Sequence, residues 1–236
     1  MRCALVAAAL VALGGCGGGG DRLVVAAASS LTKPLTACSE RFEGAAVRLS
    51  FAGSDELAAQ IRKGVRPDVY AAANTKLPDQ LAQEGLLEKP VTFATNELVI
   101  AVPDGSDVQS IADLARPGVK VVMGAESVPV GTYTREVLSR LPGGEERGIL
   151  ANVRSQEPDV KGVVGKLTRG AADAGFVYRT DLVEGLKAVT LPQDLQPVVR
   201  YGAGVVKRSD VAQRYLDGLT RGACADALRS AGFGAP

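Results

Sequence analysis

Apolar and polar positions along the chain alternate between two periods. Leu23 to Ala28 is an unbroken apolar run of strand length, and Leu31 to Phe42 follows with helical spacing, Pro34 falling in its tolerant first turn. Ala46 to Phe51 alternates like a strand, and Asp55 to Lys63 places Leu57, Ala58 and Ile61 on one helical face. Further strands are predicted at Asp68 to Ala72, Leu98 to Val102, Lys120 to Met123, Ala174 to Tyr178 and Val198 to Val206. Further helices are predicted at Leu77 to Gly85, Gly131 to Leu141, Val160 to Arg169, Val211 to Leu219 and Cys224 to Ala231. Ser29, Ser30, Ser54 and Asp159 stand where N-caps are expected. Repeated strand–helix units specify an α/β fold with mainly parallel sheets.

The first 21 residues follow a different logic. Met1-Arg2-Cys3 is a short basic start, and Ala4 to Leu13 is an apolar run too short to span a bilayer. Leu13-Gly14-Gly15-Cys16 reads as a lipobox, and Gly17 to Gly20 as a flexible tether. Residues 1–15 are therefore read as a lipoprotein signal peptide, and 16–21 as lipidated Cys16 with its tether. That makes the protein exported and held at the outer face of the cytoplasmic membrane, or in the periplasm, by lipid. An apolar strand of a cytosolic protein is the alternative, but the glycines would end such a strand badly.

Composition narrows the chemistry. The 236 residues carry 27 Lys+Arg against 26 Asp+Glu, and loss of Arg2 with the signal peptide leaves 26 of each. A balanced chain argues against nucleic-acid binding, which is driven by excess cation. There is no His, which excludes Ser–His and Cys–His catalysis and His-ligated metals. With Cys3 cleaved and Cys16 lipidated, Cys38 and Cys224 remain, an even pair in an oxidising compartment. A disulfide joining the two ends of the mature chain and two separately buried thiols are both open readings.

Four times a strand or loop runs into a helix start, at Ser30, Ser54, Val130-Gly131 and Asp159-Val160. A helix N-terminus offers free N–H groups and partial positive charge, a ready anion site without Lys or Arg. Any one such start is uninformative, and their convergence does not follow from spacing.

The strings around them are more specific. Ala26-Ala27-Ala28-Ser29-Ser30-Leu31-Thr32 and Phe51-Ala52-Gly53-Ser54-Asp55-Glu56-Leu57 resemble the opening segments of molybdate-binding proteins of ABC transporters. Gly64 to Tyr70, Val128-Pro129-Val130-Gly131-Thr132-Tyr133, Asp159-Val160 and Gly175-Phe176-Val177-Tyr178 continue the resemblance in order over the mature chain. It implies a two-lobed type II periplasmic-binding-protein fold with the ligand cleft between the lobes. Lobe one would be residues 22–95 plus 200–236, and lobe two residues 96–199. It implies anion ligands at Ser30 and Ser54, at Val130 and Val160 through backbone N–H, and at the Tyr178 hydroxyl, with Ser29 a neighbour able to contribute. The implied function is capture of molybdate, and of tungstate, by a monomer that delivers it to an ABC permease, with no cofactor, no catalysis and no side-chain metal ligand. Asp55 and Asp159, unwelcome beside a dianion, are read as serving their own helices.

Other readings are weaker. Another tetrahedral oxyanion, sulfate or phosphate, would use the same donors. Ser30-Leu31-Thr32-Lys33 is formally the S-x-x-K of serine acylases, a secreted hydrolase using Ser30, but no K-T-G or S-D-N partner follows. Gly162 to Lys166 resembles a truncated P-loop lying inside a helix.

Overall fold

A computed structural model of the protein describes residues 22–236. The expected signal peptide, the lipidation of Cys16 and the glycine tether lie outside the described residues. In chain order the strands are β1 (Arg22–Ala28), β2 (Ala46–Ala52), β3 (Val69–Ala72), β4 (Val91–Asn96), β5 (Leu98–Pro103), β6 (Val121–Gly124), β7 (Val153–Glu157), β8 (Ala174–Tyr178), β9 (Leu186–Thr190) and β10 (Val199–Val205). The helices are α1 (Thr32–Ser39), α2 (Ser54–Arg62), α3 (Lys76–Gln83), α4 (Pro129–Leu138), α5 (Gly143–Asn152), α6 (Val160–Thr168), α7 (Asp210–Thr220) and α8 (Ala223–Ser230).

The strands form two five-stranded sheets, ordered β2-β1-β3-β10-β4 and β7-β6-β8-β5-β9. The chain leaves the first sheet between β4 and β5 and returns between β9 and β10. Both sheets are mixed rather than purely parallel. β1, β2 and β3 run parallel, and β10 lies antiparallel to β3 and β4. β6, β7 and β8 run parallel, and β5 lies antiparallel to β8 and β9. The reversed strand in each sheet is the one entered from the other sheet, so the crossover sets its direction.

Central strands read as continuous apolar runs because both of their faces are covered. In the first sheet Leu57, Ala58 and Ile61 of α2 and Leu81 of α3 pack with Tyr70 and Ala72. Leu35 and Cys38 of α1, Tyr215 and Leu219 of α7 and Leu228 of α8 pack with Leu23, Val25 and Val69. That second group belongs to a core running into the other sheet, through Phe93, Tyr201, Tyr178 and Phe176. Cys38 and Cys224 are disulfide-bonded with Cα atoms 4.6 Å apart, tying α1 to α8 across 186 positions of sequence. The C-terminus also returns to the crossover, where Thr95 pairs with Gly234 and its Oγ1 donates to the Ala235 carbonyl at 2.9 Å. No helix among the described residues is long and apolar enough to cross a membrane.

The serines expected to cap helices do not. No side-chain cap bond is made at the start of the 3-10 turn Ser29–Leu31, where Ala28 is the N-cap residue, or at α2, where Gly53 is. Ser29 and Ser54 are the first residues after those N-caps and Ser30 is the second, so all three lie too late to cap. Asp159 does cap α6, its Oδ1 accepting the Gly162 N–H at 2.9 Å.

Candidate functional site

The residues expected to meet an anion come together in one pocket between the sheets. Ser29, Ser30 and Ser54 reach it from the first sheet, and Val130, Val160 and Tyr178 from the second. Each stands where a strand of its sheet gives way to a helix or turn. Strand ends on one edge of an α/β sheet deliver helix N-termini to a common crevice, so two sheets facing each other converge several on one point. The cavity volume is about 20 Å³, on a scale where a single water needs roughly 10–15 Å³. A space that small leaves no room for a sugar or a peptide.

No Lys or Arg lines the pocket among the described residues. Its one charged side chain, Asp159, is engaged in capping α6. The chemistry offered is therefore that of neutral donors. The first bond of α4 runs from the Thr132 N–H to the Val128 carbonyl at 2.9 Å, so Val130 and Gly131 keep N–H groups without intrahelical partners. Val160, as the first residue of α6, is in the same position. Pro129 fits α4 because it begins the helix, where no N–H is required.

The three hydroxyls differ in their partners. Ser54 Oγ accepts the Ala73 N–H at 3.1 Å, and the Tyr70 hydroxyl donates to the Ser54 carbonyl at 2.7 Å. Ser30 Oγ accepts from the Tyr201 hydroxyl at 3.1 Å. In both serines a lone pair is occupied from behind and the proton is left for the pocket. Tyr178 is 1% exposed, and its hydroxyl has no hydrogen-bond partner among the described residues. A buried unpaired hydroxyl is costly, about 1–3 kcal/mol. Burial also pushes its pKa well above the ordinary tyrosine value, so it remains a donor. Edge-on rings of Tyr133 and Tyr201, with centroids 6.5 and 5.8 Å away, fix the Tyr178 ring.

Two contacts join the sheets at the pocket's margin, and sequence reasoning missed both. Ser127 Oγ, on the loop before α4, donates to Asp55 Oδ2 at 2.7 Å. Asp55 therefore engages the other lobe instead of serving only its own helix dipole, and its Oδ1 is buried without a partner. Gly53 approaches the loop before α6 so closely that a Cβ there would lie 2.5 Å from the Pro158 carbonyl oxygen. Neither leaves a local signal in the chain, because each pairs residues from opposite lobes. No group of three or more His, Cys, Asp or Glu among the described residues is placed to hold a metal ion.

The profile described as bacterial extracellular solute-binding protein matches residues 23–234. The molybdate-binding protein ModA of Mycobacterium tuberculosis H37Rv is 37% identical over 227 residues, covering 91% of this chain and 85% of the relative. ModA of Escherichia coli K12 is 29% identical over 230 residues, covering 90% and 88%. Among solved structures, the periplasmic molybdate-binding protein of Azotobacter vinelandii superposes with a TM-score of 0.78 at 22% identity, covering 91% of this chain and 99% of that one. The sulfate-binding protein SubI of M. tuberculosis gives 0.79 at 15% identity, covering 90% and 86%. Those two likenesses establish the two-lobed fold, and the profile match establishes the family. This chain belongs to the bacterial extracellular solute-binding proteins.

Proposed function

We propose that this protein captures molybdate, and tungstate, outside the cytoplasm and delivers it to an ABC permease, working as a monomer held to the membrane by lipid on Cys16. The observation that carries the reading is the Tyr178 hydroxyl, buried and, among the described residues, unpartnered, in a small pocket it shares with Ser30 and Ser54 and that no described Lys or Arg lines. A tetrahedral oxyanion is the complement of that arrangement. All of its oxygens accept, and the hydroxyl and backbone N–H groups of the pocket donate, while the Asp159 carboxylate is turned to the Gly162 N–H of its own helix. Helix N-termini supply diffuse positive potential without a buried counter-charge.

In this reading Ser30 and Ser54 bind the anion from lobe one (22–95 with 200–236). The Val130 and Val160 N–H groups and the Tyr178 hydroxyl bind it from lobe two (96–199), and Ser29 adds to the lobe-one side. Both lobes donate to one ligand, so the ligand favours the closed arrangement. No step of covalent chemistry is involved. The choice of molybdate over a smaller oxyanion is supported by the mycobacterial and E. coli relatives, both described as molybdate-binding. The anchor is supported by the lipobox Leu13-Gly14-Gly15-Cys16 and the export by the extracellular family.

Thermal unfolding with and without molybdate, tungstate, sulfate and phosphate tests the proposal. Ligand at about 100 times Kd adds roughly 2.7 kcal/mol, and a chain of this size moves by about 2–4 °C per kcal/mol. The expected rise is about 5–11 °C with molybdate and tungstate. A flat response to all four anions overturns the reading, and a rise with sulfate or phosphate alone replaces the ligand.

A further inference from the structure

The groups behind the pocket determine which way the Ser30 hydroxyl points. Asn96 ends β4, where the chain leaves the first sheet, and Tyr201 lies on β10, where it returns. The Asn96 amide has a fixed orientation, because its Oδ1 accepts the Glu97 N–H at 2.9 Å. Its Nδ2 therefore faces the other way and donates to Thr180 Oγ1 at 2.8 Å and, at longer range, to Tyr201 Oη at 3.4 Å. An amide N–H₂ offers no lone pair. Among the described residues the single proton of Tyr201 Oη then goes to Ser30 Oγ at 3.1 Å. With a lone pair of Ser30 filled by that bond, the Ser30 proton is left for the pocket.

We propose that Asn96 and Tyr201 form a one-way hydrogen-bond relay that orients Ser30 as a donor to the bound oxyanion. The inference rests on the oxyanion reading above and adds two positioning residues to it, neither of which lines the pocket. A free serine hydroxyl rotates among staggered positions and both donates and accepts. The relay fills one of the two lone pairs and favours the orientation with the proton toward the pocket before the ligand arrives, so less ordering is left to the binding step. Each link is buried or half-buried, and Tyr201 is fully buried. The same logic governs Ser54, whose lone pair is filled by the Ala73 N–H. There the backbone does the work, and at Ser30 a side chain spanning the two crossovers does it.

Tyr201→Phe deletes the relay hydroxyl and keeps the ring, which packs edge-on against Phe93, Tyr178 and Phe233 with centroids 6.0, 5.8 and 5.2 Å away. The readout is a double-mutant cycle on molybdate affinity by calorimetry, with Tyr201→Phe and Ser30→Ala made singly and together. Acting through Ser30, Tyr201→Phe raises Kd roughly fivefold in the parent chain and less than about twofold once Ser30 is alanine. Asn96→Ala, made in the same two backgrounds, gives the same pattern at smaller size and keeps the test open should Tyr201→Phe fold poorly. An equal loss in both backgrounds, or none in the parent, overturns the relay while leaving oxyanion binding intact. Absence of molybdate binding by the unsubstituted chain overturns both.

Discussion

Replacing Gly53 by alanine separates closure of the lobes from folding of either one. Gly53 has φ −59° and ψ 138°, a conformation open to any residue, so glycine is not required by the backbone. What requires it is space. A Cβ at this position lies 2.5 Å from the Pro158 carbonyl oxygen and 2.9 Å from Asp55 Oδ1. The carboxylate tip can swing aside, but the carbonyl belongs to the backbone that leads into α6 and carries Val160 to the pocket. On the proposed hinge closure, the overlap with Pro158 arises only when the lobes come together, and overpacking of this kind costs about 1–3 kcal/mol. Molybdate affinity should therefore fall by roughly 5- to 150-fold. The unliganded melting temperature should hold or rise slightly, since alanine also restricts the unfolded chain. Calorimetric titration with molybdate, alongside melting curves without ligand, measures both quantities. A Kd within twofold of the parent would refute the inference that this contact gates closure.

Three further outcomes are expected. Tyr178→Phe removes the buried hydroxyl that has no partner; unliganded melting should rise by a few degrees while molybdate affinity falls about 10- to 150-fold, the worth of a hydrogen bond to a charged group, and a loss of both would indicate a packing role. Asp181 is buried with Lys161 Nζ 3.0 Å from its Oδ1, and burial outweighs the lysine and raises its carboxyl pKa above 3.8. A raised folded pKa contributes stability that is present below the unfolded value and lost as pH rises through the folded one. Asp181→Asn should therefore melt higher than the parent at pH 7 and converge with it toward pH 4, and a difference that does not vary with pH would count against the titration. Reduction of the Cys38–Cys224 bridge, which closes most of the described chain, should cost about 2–5 kcal/mol and roughly 4–20 °C in melting temperature, leaving molybdate affinity in the folded protein unchanged.

How much of this was legible in the sequence depends on whether the signal was local. β1, α2 and β8 announced themselves, because a buried central strand or an amphipathic helix carries its own period. β7 (Val-Arg-Ser-Gln-Glu) and β9 (Leu-Lys-Ala-Val-Thr) did not. Both are edge strands, and the polar residues on their open sides mask the pattern. α5 was hidden by Gly143, Gly144 and Gly148, which weaken any helical signal. Gly148 is explained only in three dimensions, since a Cβ there would meet Ala115 at 2.9 Å. The serines were misread as caps because cap and first-turn positions differ by one or two residues, which spacing does not resolve.

The site divides in the same way. Ser30, Ser54, Val130, Val160 and Tyr178 were found through short strings that resemble a family, and their convergence appeared only with the fold. Gly53, Ser127, Asn96 and Tyr201 carry no such string. Their importance lies in what they face across the crevice or behind it, and Tyr201 is 171 positions from the serine it orients. The departure at Asp55 has the same origin, since its partner Ser127 lies 72 positions away on the opposite lobe.

The most direct measurement is diffraction at the molybdenum absorption edge from crystals of the mature protein grown with molybdate. The expected result is one anomalous peak per chain, enclosed by Ser30, Ser54, Val130, Val160 and Tyr178, with the Tyr178 hydroxyl donating to the anion. A peak elsewhere on the surface, or none at saturating molybdate, would contradict the proposal that this pocket holds the oxyanion.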